Sequence, residues 1–164
     1  MNLKKYCGLD FPSSLIIINL DMMKIYKPIN LVDFQFIADS WSEPKNNKFM
    51  FTHRITAQET KNRIKNKNSF TYIVEVDGER VGNLNLRKVP DDQSGRLGII
   101  IDYRYQSKGY GKEAMKLLEK EAKKLGIKKL RLEVFVSNKV AVNLYKKMGY
   151  KEFERLIAME KKVR

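Results

Sequence analysis

A strand, a glycine-rich turn and a helix follow one another in residues 97–125, and this order constrains the fold more than any other part of the chain. The apolar run from Leu97 to Ile101 is rich in isoleucine, which predicts a buried strand. Behind Gly109 and Gly111, apolar residues recur at the spacing of an amphipathic helix that Gly126 ends. Such a turn suits a phosphate group, because N–H groups at a helix start point outward with the positive end of the helix dipole.

Two common phosphate-binding motifs do not fit this turn. A Walker loop needs Ser or Thr after Gly-Lys, and Glu113 stands at that position. A Rossmann fingerprint needs a third glycine, and the corresponding residue is Ala114. The pattern that remains is Gln106-x-x-Gly109-x-Gly111.

This pattern resembles the Gln/Arg-x-x-Gly-x-Gly/Ala pyrophosphate loop of the GNAT superfamily of N-acetyltransferases, which use acetyl-CoA. A second signature of that family, Asn-x-x-Ala-x-x-Leu-Tyr-x-x-x-Gly-Phe/Tyr, is matched at every fixed position from Asn138 to Tyr150. The two signatures also stand at the family's usual separation. The resemblance covers roughly Ile25 to Glu154.

The resemblance implies an α/β (α+β) fold with a mixed, strongly twisted sheet of six to seven strands and helices on both faces. The implied order is a strand, two helices, three strands, a helix, a strand, a helix and two final strands. We expect an N-acetyltransferase domain over residues 23–164, preceded by an N-terminal extension of unknown role over residues 1–22.

Local signals predict several elements from the residues alone. Gly82, inside a predicted strand, indicates a bulge or a close approach of another chain segment. The other predictions are a helix capped by Asn30 and reaching Trp41, a loop over residues 46–56, a helix over 57–66 opened by a capping box at Thr56 and Glu59, a hairpin of strands 70–76 and 80–88 around Asp77-Gly78, and a strand over 130–136.

Composition narrows the class of protein. One cysteine excludes an internal disulfide framework and suits a reducing compartment, so we expect a cytoplasmic protein. The lone histidine, His53, excludes a multi-histidine metal site, and no apolar run approaches the roughly 20 residues of a membrane span. No metal and no membrane partner are expected, and a monomer and a homodimer both remain open.

The net charge of +14 raises the question of nucleic-acid binding. The lysines are spread through nearly every segment rather than clustered in a stripe, which is more typical of solvated faces. A positive field nevertheless favours an anionic cosubstrate such as CoA and disfavours polyamine acceptors.

The resemblance also implies the residues of a site. Tyr145, on the Leu-Tyr of the second signature, is implied to give a proton to the CoA thiolate, with a packed core tyrosine as the alternative. The backbone of Ile99, Ile100 and Ile101 is implied to bind the pantetheine arm and the thioester oxygen where two strands splay apart. Asn138 is implied to contact the CoA arm, to cap a helix, or both. The implied phosphate loop comprises Gln106, Ser107, Lys108, Gly109, Tyr110, Gly111 and Lys112.

Some roles stay open at this point. The family often carries Glu near the start of the fourth strand, whereas this chain reads Gly-Arg-Leu-Gly over residues 95–98. A general base is therefore conceivable at Glu75, Asp102 or Glu133, or through a water chain. Trp41 is either a wall of the acceptor site or a core residue, and His53 is a base, a ligand or a surface residue.

The function that the resemblance implies is transfer of an acetyl group from acetyl-CoA to a primary amine by direct attack in a ternary complex. The amine belongs to a small molecule or to a protein N-terminus. The alternatives are a basic nucleic-acid or ribosome-binding module and a CoA-binding sensor without turnover.

Overall fold

The computed structural model describes residues 23–50 and 54–162. The expected extension over residues 1–22 and the histidine at position 53 lie outside the described residues. The strands are β1 (Met23–Tyr26), β2 (Ser69–Val76), β3 (Glu79–Val89), β4 (Ser94–Ile101) and β5 (Lys129–Arg131). The helices are α1 (Leu31–Ser42), α2 (Pro44–Asn47), α3 (Ala57–Ile64), α4 (Tyr110–Lys124) and α5 (Lys139–Lys147).

The five strands form one mixed sheet in the order β1-β2-β3-β4-β5. Neighbours from β1 to β4 are antiparallel, whereas β4 and β5 are parallel. The β4–β5 pairing covers three residue pairs and ends at Arg96 opposite Arg131, although β4 continues to Ile101 beside β3. One edge of β4 is therefore without a paired strand from Leu97 onward.

The described residues form five strands, so the expectation of six to seven strands is not confirmed. The strand expected over 130–136 forms only from Lys129 to Arg131, because no further strand pairs with residues 132–136. Residues 151–162, where the final strands were expected, have no regular secondary structure and are exposed. The loop expected from residue 46 begins later, because Pro44 and the Glu43 side chain start the short helix α2.

The hairpin prediction is confirmed. Asp77 and Gly78 join β2 to β3 with φ angles of +51° and +84°, as a two-residue turn between twisted strands requires. Gly82 lies opposite a register shift at Val74, and a Cβ there would stand 2.3 Å from the carbonyl oxygen of Ile100. Both predictions for Gly82 are therefore confirmed: it lies at a bulge, and the backbone of β4 approaches it closely.

Helices cover both faces of the sheet, and alternation along β3 shows which residues face which layer. Leu84 and Leu86 join the core cluster that contains Ala114, Met115 and Leu118 of α4. Asn83 points the other way and accepts a hydrogen bond from Trp41 of α1. The face toward α4 is apolar, and the face toward α1 and α3 carries polar side chains. None of the helices in the described ranges is long and apolar enough to cross a membrane.

A buried carboxylate fixes α1 on the sheet. Asp33 is fully buried, and its Oδ1 accepts from Arg80 Nε of β3 at 2.9 Å while its Oδ2 accepts from the backbone N–H of Ile29 at 3.0 Å. Burial alone raises the pKa of Asp33, but the Ile29 N–H and the Arg80 guanidinium outweigh burial and hold the pKa below its ordinary value. This contact sets the position of α1, and with it Trp41.

Replacing Asp33 with asparagine is expected to lower the free energy of unfolding by about 1.5–3 kcal/mol at pH 7, because the amide NH2 group cannot accept one of the two hydrogen bonds that the carboxylate accepts from Arg80 and Ile29. The folded-state pKa is lowered, so this contribution is complete above the unfolded-state pKa of about 3.9 and is lost as the pH falls through the folded-state value. Urea unfolding from about pH 5 to about pH 3 should show the wild-type advantage shrinking. Asp39→Asn, at an exposed position of the same helix, should change stability by less than about 0.5 kcal/mol.

Candidate active site

The predicted phosphate loop forms a fan of free backbone donors. Ser107 and Gly109 have φ angles of +62° and +82°, and α4 begins at Tyr110 directly after them. Within the described ranges, the N–H groups of residues 107–111 donate no hydrogen bond, whereas that of Lys112 already bonds the Gly109 carbonyl at 3.1 Å. Residues 106–109 are exposed. Successive free N–H groups at a helix N-terminus form an anion-binding concavity.

The side chains around this loop add positive charge and rigidity. Lys108 and Lys112 are exposed and form no ion pair with another described residue. The Lys108 ammonium lies 5.5 Å from the centroid of the Tyr105 ring. Gln106 donates from Nε2 to the carbonyl oxygen of Ile101 at 2.8 Å, which ties the loop to the end of β4. Gln106 therefore positions the loop through its side chain.

The loop, the end of β4 and helix α5 meet at Gly111. A Cβ at Gly111 would lie 3.4 Å from Leu144 Cδ2 and 3.9 Å from Ile101 Cγ1. Ile100 and Ile101 are buried, and Ile99 packs against the core. The unpaired edge of β4 begins at Leu97 and ends at Ile101, beside the phosphate loop, as a binding cleft for an extended arm would require.

Tyr145 lies on α5 and packs against the core cluster. Its ring meets that of Tyr150 edge-on, with 6.0 Å between centroids, and its hydroxyl bonds no described residue. Burial raises the pKa of Tyr145 to about 12, so the hydroxyl is protonated at neutral pH. The packing agrees with a core tyrosine, and the unbonded hydroxyl leaves a proton donor available.

Asn138 caps α5, since its Oδ1 accepts from the Ala141 N–H at 3.2 Å. The Asn138 amide nitrogen makes no hydrogen bond in the described part of the chain, so the capping role leaves a donor for a ligand.

The three candidate bases differ in their surroundings. Glu75 pairs with Lys24 at 2.7 Å near the β1 edge of the sheet. Burial alone raises the pKa of Asp102, but two hydrogen bonds from the Arg104 guanidinium, at 2.9 and 3.0 Å, help hold that pKa below its ordinary value. Glu133 is exposed and pairs with Arg96 at 3.1 Å. The partner of Glu133, Arg96, also lines a cavity between the helices and the sheet.

A cavity of about 300 Å³ lies between helices α1 and α3 and the polar face of the sheet. It reaches Arg96 and Leu97, where β4 and β5 cease to pair. Its lining is Ile37, Trp41, Ile55, Thr60, Arg63, Ile64, Ser69, Thr71, Asn83, Asn85, Arg87, Arg96 and Leu97.

Trp41 is half-buried and lies outside the core cluster. Its indole N–H donates to Asn83 Oδ1 at 3.0 Å, and its ring lines the cavity. Sequence reasoning missed the polar floor formed by Asn83, Asn85 and Arg87. The available signal was the polar residue at every second position of β3.

Parts of the chain are similar in sequence to known N-acetyltransferases. A 41% identical match over 59 residues, 36% of each chain, is an uncharacterised N-acetyltransferase of Bacillus subtilis (strain 168). An N-alpha-acetyltransferase of Sulfurisphaera tokodaii is 33% identical over 97 residues, 52% of this chain and 58% of the relative. The chain therefore spans between about a third and three fifths of the length of these curated relatives.

Solved structures with the same fold are more distant in sequence. Spermidine N-acetyltransferase from Vibrio cholerae, in complex with CoA and spermine, superposes with a TM-score of 0.76 at 20% identity, over 84% of this chain and 85% of the other. A domain from Methanocaldococcus jannaschii superposes with a TM-score of 0.69, also at 20% identity, over 81% and 90% of the two chains. These likenesses show the fold.

The family model described as "Acetyltransferase (GNAT) family" matches residues 34–150, well over half of the chain and the whole of the loop, cleft and cavity described above. The chain therefore belongs to the GNAT acetyltransferase family.

Proposed function

We propose that this protein transfers an acetyl group from acetyl-CoA to a primary amine by direct attack within a ternary complex. The observation that carries the proposal is the row of free N–H groups at residues 107–111 beside the unpaired edge of β4. The cavity under α1 and α3 reaches Leu97, where that unpaired edge begins. A donor and an acceptor can thus approach one another from two sides of the β4–β5 separation.

Acetyl-CoA fits the residues of the cleft and supplies an acetyl group activated as a thioester. The free N–H groups of residues 107–111 would hold its pyrophosphate, with Lys108 and Lys112 adding charge. The backbone of Ile99, Ile100 and Ile101 would pair with the pantetheine arm and donate to the carbonyl oxygen as negative charge develops there. The Asn138 amide would contact the arm while its oxygen continues to cap α5.

Tyr145 is proposed as the proton donor to the leaving sulfur. Burial raises its pKa to about 12, so the hydroxyl keeps its proton at neutral pH and can give it to the sulfur as the C–S bond breaks. The attacking amine forms the C–N bond and releases one proton, which restores the Tyr145 hydroxyl. The products are then the amide and the neutral thiol.

The amine must be neutral when it attacks. Glu75 and Asp102 are held in ion pairs away from the cavity lining, which makes them poor candidates for a base. An α-amine has a pKa of about 8, so a useful fraction is already neutral at physiological pH. We therefore propose an α-amine as the acceptor, with water and Glu133, the ion-pair partner of the cavity residue Arg96, taking the proton.

Two measurements on the purified full chain test the proposal. Calorimetry should detect binding of CoA and acetyl-CoA, and free-thiol release should appear when amino acids or peptides are added. Acetyl-CoA should also raise the melting temperature by mass action.

The rival functions give different patterns in the same assays. A sensor without turnover binds acetyl-CoA and releases no thiol with any amine. A nucleic-acid module shows no response to acetyl-CoA and binds RNA or DNA with an affinity that falls steeply with salt.

A further inference from the structure

We propose that the acceptor amine carries a nearby carboxylate, which the cavity under α1 and α3 binds through Asn83 and Arg87. This inference rests on the proposed acetyl transfer and names the chemical class of its acceptor. The shared chemistry is an α-amine with an anionic oxygen group a few bonds away, either in a free amino acid or at an acidic peptide N-terminus.

Asn83 presents a buried donor without a partner. The residue is 1% exposed and lines the cavity, and its Nδ2 makes no hydrogen bond. The assignment of Nδ2 is secure, because the indole N–H of Trp41 can only donate and must therefore face Oδ1. A buried amide group without a hydrogen-bond partner destabilises the fold. A ligand oxygen in the cavity would remove that cost, whereas an ammonium group, which has only donors, would not.

The charges around the cavity point to the same chemistry. Its charged lining residues are Arg63, Arg87 and Arg96, and none of the described residues that line it is Asp or Glu. Arg96 is paired with Glu133, whereas Arg63 and Arg87 form no ion pair within the described ranges. Arg63 does lower the pKa of Glu59 by its charge, although hydrogen bonds from Thr56 do so more strongly. A polyamine would bring several ammonium groups against these guanidinium groups, while a carboxylate would be attracted.

The size and place of the cavity limit the acceptor further. About 300 Å³ is at the lower end of the range for small-molecule sites, about 300–1,000 Å³. The cavity reaches Leu97, beyond which the edge of β4 is unpaired. A carboxylate held at Asn83 and Arg87 therefore leaves the amine of the same small molecule, or of one or two terminal residues, facing the thioester.

The chain contains one tryptophan, so the indole N–H signal of Trp41 reports on this cavity directly. We would titrate the ¹⁵N-labelled protein with L-alanine and L-alaninamide, which differ in the carboxylate, and with spermidine. A second arm would compare a peptide that begins Ala-Glu-Asp with one that begins Ala-Gln-Asn. In one of the two pairs, we expect the acid to shift the Trp41 signal at a concentration at least about tenfold lower than its amide does. That pair shows whether the carboxylate belongs to a free amino acid or to a peptide. We expect no shift with spermidine.

Two variants connect that preference to the named residues. Asn83→Asp replaces the free donor by a carboxylate oxygen of the same shape, and Arg87→Gln removes a cation from an exposed position that folding does not require. Each should reduce the acid-over-amide preference at least about fivefold, in binding and in kcat/KM for thiol release. Arg155→Gln, which removes an exposed arginine outside the cavity lining, should leave the preference unchanged.

The outcomes separate the two proposals. If acetyl-CoA binds but no acceptor releases thiol, the proposed transfer fails, and the Trp41 signal still tests the carboxylate site. Equal affinity for each acid and its amide, or a Trp41 shift with spermidine at the same concentration, would overturn the carboxylate proposal even if acetyl transfer is observed. Arg87→Gln keeps the test decisive if Asn83→Asp does not fold.

Discussion

Tyr145→Phe is expected to lower kcat for thiol release by at least about a hundredfold, the lower end of what general acid catalysis contributes. The variant loses one hydroxyl that bonds no described residue, and the ring keeps its packing against the core. The affinity for CoA should therefore stay within about twofold, since no other contact to the cosubstrate is removed. Steady-state thiol release at saturating acetyl-CoA and calorimetry with CoA measure the two quantities separately.

Tyr150→Phe is the matched control. The Tyr150 ring touches that of Tyr145, but its hydroxyl donates to Glu119 at 3.2 Å instead of standing free. This variant should lose a little stability, about 1 kcal/mol for one hydrogen bond, and keep kcat within about twofold. If Tyr145→Phe behaved in the same way, Tyr145 would be a core residue and the thiolate would take its proton from elsewhere.

The pH dependence of kcat gives a further check on Tyr145. Burial raises its pKa to about 12, so the hydroxyl is protonated below that pH and supplies a proton throughout the physiological range. Loss of this acid should therefore cause no fall in kcat below about pH 10. A descending limb near pH 8 that disappears in Tyr145→Phe would show that the tyrosine titrates far lower and that the bound state differs in its charges.

Elements governed by a few neighbouring residues were predictable from the sequence. Asn30 caps α1 by accepting from the Asp33 N–H, and Thr56 and Glu59 form the expected capping box of α3. Each of these signals consists of hydrogen bonds within four residues, so the sequence contains the whole interaction. The same holds for α4, which begins behind Gly109 and ends before Gly126, and for the donors of the phosphate loop.

Elements that need a distant partner were predicted less well. Residues 130–136 alternate as a strand does, but β5 stops at Arg131 because pairing with β4 ends there. Alternation shows that a segment suits a sheet, and it does not show whether a neighbouring strand is present. Residues 151–162, where the family resemblance implied two final strands, likewise form none, and their apolar side chains, among them Phe153 and Ile157, are exposed.

The cavity proposed for the acceptor is the part of the site that the sequence did not predict. Asn83, Asn85 and Arg87 occupy alternate positions of β3, a pattern typical of a face in contact with water. That face is instead covered by α1 and α3, because Asp33 of α1 is anchored to Arg80 and Trp41 reaches Asn83 from 42 residues away. The burial of these amides is a tertiary property, and so is the unpartnered donor that suggests the acceptor's chemistry.

Gly109→Val is expected to weaken CoA binding at least about a hundredfold. Gly109 has a φ of +82°, and a β-branched residue at such an angle is a strong outlier, so the loop would relax to a different conformation. The fan of N–H groups at residues 107–111 would then no longer converge on the pyrophosphate. Hydrogen bonds to charged groups contribute about 1.5–3 kcal/mol each, and losing two of them corresponds to at least about a hundredfold in the dissociation constant.

Gly126→Val separates loss of the phosphate site from simple backbone strain. Gly126 follows the other end of α4, has a similar φ of +72°, and like Gly109 has open space where a Cβ would stand. The two variants should therefore destabilise the fold by similar amounts, which urea unfolding measures. CoA affinity by calorimetry should fall for Gly109→Val and stay within about twofold for Gly126→Val, because anions bind at the N-terminus of a helix and not at its C-terminus. Equal losses for the two glycines would mean that strain in α4, and not the loop's donors, explains the effect, and the proposed pyrophosphate site would have to be abandoned.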